Sequence, residues 1–175
     1  MKYQDDPERA SILALLSGKL PEAEFLRQRG WSASDARRRG LSLLDASLTS
    51  RDPDDVFFGN YLIGHFGAEE VPLGTLHALL RADWHRSHED LVQILSKRGD
   101  PESAVPLFEA ATARYNYLDY DDSFTLGRKS IFALARLGTE AAQELLRRLA
   151  SCGNLVLESC AREQLGKVQQ GNTPG

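Results

Sequence analysis

The stretch YLIGHFGAEEVPLGTLHALL (61–80) reads as the end of one apolar helix, a glycine, a short acidic turn and the start of a second, amphipathic helix. QILSKRGDPESAVPLFEAA (93–111) and FALARLGTEAAQELLRRLA (132–150) follow the same order. The glycines fall at 67, 99 and 138, so the intervals are 32 and 39 residues. A chain that leaves one helix and doubles back into the next usually needs a residue with positive φ, and glycine takes that conformation without a steric penalty. Pro72 and Pro106 stand where the second helix begins, in its first turn, where the N–H that proline lacks has no helical partner anyway. A recurring helix–turn–helix unit predicts antiparallel helix pairs stacked on one another.

Outward from these units the pattern stays helical. Helices are expected over about 54–66, 73–82, 88–97, 102–113, 123–137, 140–150 and 154–168, and no run alternates apolar and polar residues over a strand's length. Nearer the start, Ile12, Leu13, Leu15 and Leu16 make a short apolar face closed by Gly18, and PEAEFLRQRG (21–30) makes a second short helix ending at Gly30. A serine after Trp31, or Asp35, caps a longer helix. In it Ala36, Gly40, Leu41, Leu44 and Leu48 recur at helical spacing, with Arg37, Arg38 and Arg39 outward. The expected organisation is one all-α domain over 1–170. It comprises a helical cap (1–50), repeats at 53–82, 86–113 and 123–150, a capping helix at 154–168 and a flexible tail at 171–175.

With 175 residues, 42% of them hydrophobic and 26% charged, the composition is that of an ordinary globular domain. The net charge of −4 argues against a general electrostatic grip on nucleic acid and favours a basic or neutral protein partner. No run of 18 apolar residues is present, and MKYQDDPERA lacks the basic and apolar segments of a signal peptide, so a cytoplasmic protein without a membrane role is expected. Cys152 and Cys160, eight residues apart beside Leu155, Val156 and Leu157, read as reduced packing residues on one helix.

The densest polar cluster is Trp84, His85, His88, Glu89 and Asp90. A His-x-x-His-Glu string on a helix can present metal ligands. The preferred reading is structural: Ser87 and Asp90 resemble a capping box, which would put His85 before the helix and His88 in its first turn, on different faces. Contact with a partner is the third reading. No nucleophile elbow, phosphate-cradling glycine loop or HExxH helix occurs, so neither enzymatic activity nor a cofactor is expected.

The seven extra residues between the second and third glycines fall in RYNYLDYDDS (114–123). Insertions between stacked helix pairs lengthen a connection on one edge, often the edge used for binding. Tyrosine offers large contact area at low entropic cost, and aspartates beside it can pair with a basic group on a partner. The competing reading packs Tyr115, Tyr117 and Leu118 onto neighbouring helices and makes Asp122 the cap of the next helix. The expected partner-binding set is Trp84, His85, His88 and Glu89 with Tyr115, Tyr117, Asp119, Tyr120 and Asp121.

The glycine-centred units over 54–165 resemble HEAT repeats. That resemblance implies a short right-handed α-solenoid of antiparallel helix pairs, with the first fifty residues as an atypical amino-terminal cap. ADWHRSHEDLVQILSKRGDPESAVPLFEAA (82–111), YLDYDD (117–122) and KSIFALARLGTEAA (129–142) are similar to a group of small bacterial HEAT-repeat proteins. Members of that group tend to carry a cysteine where this chain has Ser130. The resemblance implies an immunity protein that neutralises a cognate toxin of a polymorphic toxin system by binding and occluding it. The alternatives are a small HEAT-like enzyme, of chromophore-lyase or nucleic-acid-repair type, and a general scaffold or regulator in a larger assembly.

Overall fold

A computed structural model describes residues 3, 5–118, 122–169 and 171. Among them are ten α-helices, two short 3₁₀ turns and no strand, so the chain is all-helical. The helices are α1 (Pro7–Leu16), α2 (Glu22–Arg29), α3 (Ala33–Ser50), α4 (Pro53–Phe66), α5 (Leu73–Arg81), α6 (His88–Arg98), α7 (Ala104–Thr112), α8 (Thr125–Leu137), α9 (Glu140–Leu149) and α10 (Leu155–Gln169). They fall into two compact units, Met1–Val71 and Pro72–Gly175, whose boundary lies inside the first predicted repeat.

Local chemistry accounts for the helix ends. Gly67, Gly99 and Gly138 follow α4, α6 and α8 with φ of +116°, +65° and +65°. Ser32 and Asp35 form a reciprocal capping box at α3, and the Asp52 carboxylate accepts from the Asp54 N–H at α4. Pro72 stands immediately before α5, whereas Pro106 lies in the first turn of α7.

In the first unit Ile12, Leu15, Phe25, Leu43, Phe58 and Leu62 form the core, with Tyr3, Trp31 and Phe66 against it. The apolar face of α3 is rotated from the expected one. Leu43 and Ser47 are buried where Leu41 and Leu48 were expected, and Leu48 is exposed. Of the three successive arginines only Arg38 is exposed, where it pairs with Asp35. Arg39 reaches Glu8 at 2.6 Å and Arg37 lies 3.9 Å from both Glu69 and Glu70, because their long side chains cover neighbouring elements on the way to a carboxylate. Arg9 of α1 reaches Asp52 at 2.8 Å and Asp55 at 2.6 Å, joining α1 to the acidic start of α4.

The crossing of α3 and α4 depends on glycine. A methyl group on Gly59 would lie 2.7 Å from Leu44 Cδ2 and 3.0 Å from the Gly40 carbonyl oxygen, and one on Gly40 would meet Leu62 Cβ at 2.9 Å. The backbones approach where neither helix carries a side chain.

In the second unit Leu76, Leu79, Leu80, Leu91, Leu95, Leu107, Leu134 and Leu146 are buried. Each helix packs on a near neighbour and on the helix after that: α5 on α6 and α7, α7 on α8 and α9, and α8 on α6, α9 and α10. Polar contacts follow the same spacing. Arg81 of α5 reaches Glu109 of α7 at 2.6 Å, Lys129 of α8 reaches Glu89 of α6 at 2.7 Å, and the Arg148 guanidinium of α9 sits 4.5 Å from the Phe108 ring centre of α7.

Two further expectations are corrected. Cys160 is buried in α10, but Cys152 is exposed in the turn before it, so the two do not share a helix. The residue before α8 is Phe124, held at φ +53°, so Asp122 does not cap that helix. Asn154 does cap α10, accepting from the Val156 and Leu157 N–H groups.

The crossing supplies a paired test. Gly59→Ala is expected to destabilise the chain by ~1–3 kcal/mol through overpacking. Gly64→Ala, in the same helix with nothing within 4 Å, is expected to stabilise it by up to ~1 kcal/mol through helix propensity. Denaturant unfolding of the two variants checks the opposite signs.

Candidate functional site

Helix α5 ends without a glycine; Ala82 follows it in extended conformation. The last carbonyls of a helix have no partner within it, and buried ones must find donors elsewhere. Here side chains reach three of them, and the Leu79 carbonyl accepts from the Ala82 N–H as well. His85 Nε2 lies 2.8 Å from the Leu79 carbonyl oxygen, the Tyr115 hydroxyl 2.8 Å from that of Leu80, and His88 Nε2 2.7 Å from that of Ala82. A carbonyl can only accept, so both imidazoles carry their proton on Nε2.

The remaining ring nitrogens are also engaged. His85 Nδ1 accepts from the Ser87 N–H at 3.1 Å, and His88 Nδ1 accepts from the Tyr117 hydroxyl at 2.8 Å. The rings form a stack, with His85 4.3 Å from His88 and His88 3.8 Å from Tyr115, centre to centre, and Trp84 meets His85 edge-on at 5.0 Å. Burial drives the His85 pKa below its ordinary value. For His88, burial and then the neighbouring His85 bring it down to about 4. Both histidines are neutral at pH 7.

These contacts revise the expected site. His85 and His88 share one stack, and Ser87 makes no side-chain cap bond to α6. With all four ring nitrogens bonded to protein atoms, the pair offers no lone pair to an ion. No group of three or more metal-ligating side chains occurs among the described residues. His85 is 1% exposed, His88 0% and Tyr115 9%, so these three hold the site together from inside and expose little area to a partner. Trp84, Glu89 and Tyr117 are half-buried, and Glu89 is paired with Lys129. Asp119, Tyr120 and Asp121 lie outside the described residues.

The stack joins the turn between α5 and α6 to the start of the connection between α7 and α8, where Asn116–Leu118 forms a 3₁₀ turn. Between them lies a polar cavity of about 360 Å³. His85 and Tyr115 lie along it, and Asp83, Trp84, Arg86, Arg114, Asn116 and Tyr117 make up the rest of its wall. Arg86, Arg114 and Asn116 were not singled out as site residues: all three lie within the stretches that drew notice, but nothing in their spacing says that the two stretches meet.

No protein-family model, curated protein or solved structure matches this chain. Among the described residues no helix is long and apolar enough to cross a membrane.

The stack predicts a pH-dependent stability. The unfolded state binds a proton at His88 near the ordinary value of 6.5, and the folded state only near 4. The His88 contribution to stability is therefore full above pH ~6.5, falls as the pH drops toward ~4 and levels off below, with a loss on the order of 3 kcal/mol. In His88→Asn the protein is less stable throughout, but the slope of melting temperature against pH between ~6.5 and ~4 is shallower. Tyr117→Phe, which leaves the His88 Nδ1 acceptor without a donor, is expected to cost ~1–3 kcal/mol.

Proposed function

We propose that this chain is a protein-binding scaffold, a short right-handed HEAT-like solenoid of antiparallel helix pairs, and that it works as an immunity protein in the bacterial cytoplasm. It neutralises a cognate toxin by binding and occluding it. The packing of helices of the second unit on both their next and second-next neighbours supports stacked pairs over unrelated helices. The observation that carries the binding reading is the joined pair of connections. Two successive connections between helix pairs lie side by side, fixed from inside by hydrogen bonds, with Trp84 and Tyr117 half-buried and Arg86 and Arg114 exposed beside them.

Tryptophan, tyrosine and arginine are the residue types that dominate binding energy at protein interfaces. A pre-ordered surface also avoids the entropy cost of ordering loops on association. Asp119, Tyr120 and Asp121 extend the proposed surface by sequence.

The test is co-expression with toxins encoded beside its gene, followed by co-purification and growth protection. A stable complex is expected, and Trp84→Ala or the double charge reversal Asp119→Lys, Asp121→Lys is expected to weaken it by about tenfold or more. Full protection by both variants, together with no toxin-like neighbour, rules this reading out.

A further inference from the structure

The chain carries more acidic than basic residues, 25 against 21, and many of its arginines are already held by carboxylates, Arg9, Arg39, Arg81 and Arg162 among them. Arg86 and Arg114 are different. Both are exposed, both line the cavity beside the histidine–tyrosine stack, and neither makes an ion pair with a described residue. Asp83 is the single carboxylate among the described lining residues, and it lies beyond ion-pair distance of either guanidinium. The wall thus has a cationic excess on a chain whose net charge is −4.

We infer that this cavity receives an acidic side chain, the carboxylate of an aspartate or glutamate on the protein partner. This rests on the protein-binding reading above and assigns the chemistry of the group that is bound. The Arg86 guanidinium lies 5.9 Å from the Tyr117 ring centre, and an arginine resting on an aromatic ring keeps N–H donors for a carboxylate. Asn116 adds a side-chain amide to the same wall. The wall formed by His85 and Tyr115 does not compete for the ligand. Both His85 ring nitrogens and the Tyr115 hydroxyl are already bonded to backbone groups, so recognition falls to the arginines and the amide. A volume of about 360 Å³ suits one or two side chains with their waters.

The inference reverses the polarity suggested by net charge. A long-range field repels an acidic partner, while the local wall attracts one of its carboxylates. Such a pattern selects a partner that places an acid at one position within an otherwise neutral or basic surface.

The experiment uses the full chain and fluorescein-labelled octapeptides of glutamate, serine and glycine, with lysine replacing glutamate in the counterpart, read by anisotropy at low salt. The glutamate peptide is expected to bind saturably and the lysine peptide not. Affinity is expected to fall by about tenfold or more in Arg86→Glu, Arg114→Glu. It should change by less than about twofold in Arg27→Glu, Arg38→Glu, which alters the net charge equally at exposed arginines of the other unit. Arg86→Gln, Arg114→Gln, with circular dichroism on each variant, separates loss of binding from loss of fold.

No saturable binding, preference for lysine, equal loss in the Arg27/Arg38 variant, or displacement of the peptide by an equal concentration of inorganic phosphate would each overturn the inference. Its failure is distinct from failure of the toxin reading. Peptide binding without toxin capture leaves the carboxylate site standing. Toxin capture unaffected by Arg86→Glu, Arg114→Glu leaves the scaffold standing and removes the site.

Discussion

Helix α5 must terminate among buried groups without a glycine to turn its chain, and the second unit is arranged around satisfying its last carbonyls. Three donors do so, and they come from two places in the sequence: His85 and His88 just after the helix, and Tyr115 some thirty residues on. Losing Tyr115 or His88 would leave the Leu80 or Ala82 carbonyl without its donor, a cost on the order of 1–3 kcal/mol, whereas the Leu79 carbonyl keeps the Ala82 N–H. The same three bonds therefore fix the turn between α5 and α6, set the path of the chain as it leaves α7, and hold two connections against each other. Helices α4, α6 and α8, which end on glycines of positive φ, turn without such help.

The seven residues that lengthen the connection after α7 have a consequence that follows from this constraint. The first part of the connection is interior structure: Tyr115 caps α5 and Tyr117 completes the hydrogen bonding of His88. Surface character belongs to what these tyrosines carry into position, the two arginines and Asn116 around the cavity. A tyrosine-bearing connection can thus hold an edge in place by turning Tyr115 and the Tyr117 hydroxyl inward, leaving adjacent polar residues to meet a partner.

Helix positions were legible to within a few residues because they rest on local signals: apolar spacing, glycine stops, and a cap at Ser32 with Asp35. Errors arose where a distant contact overrode a local one. Ser87 and Asp90 have the look of a capping box, yet the Ser87 N–H donates to His85 and no cap bond forms. Asp122 is a good cap by type, yet the backbone places Phe124 at that position with positive φ. The apolar face of α3 turned because α4 approaches it along Gly40 and Gly59, and only the partner helix decides which residues face that crossing. The candidate site was half legible. Its two stretches stood out by composition, but their meeting is a property of the fold, and so are the arginines that line the space between them.

One feature of the packing makes the protein its own optical probe. The chain has two tryptophans, and each compact unit holds one: Trp31 edge-on against Phe25 in the first and Trp84 edge-on against His85 in the second. Replacing either indole by phenylalanine leaves a single tryptophan, which, excited selectively over the five tyrosines, reports one unit alone. Coincident or separate transitions in the two single-tryptophan proteins then reveal whether the two units unfold as one cooperative system. The imidazole beside Trp84 adds a second channel, since a protonated histidine quenches a neighbouring indole, so acid entry into the stack registers as a loss of light from that unit alone.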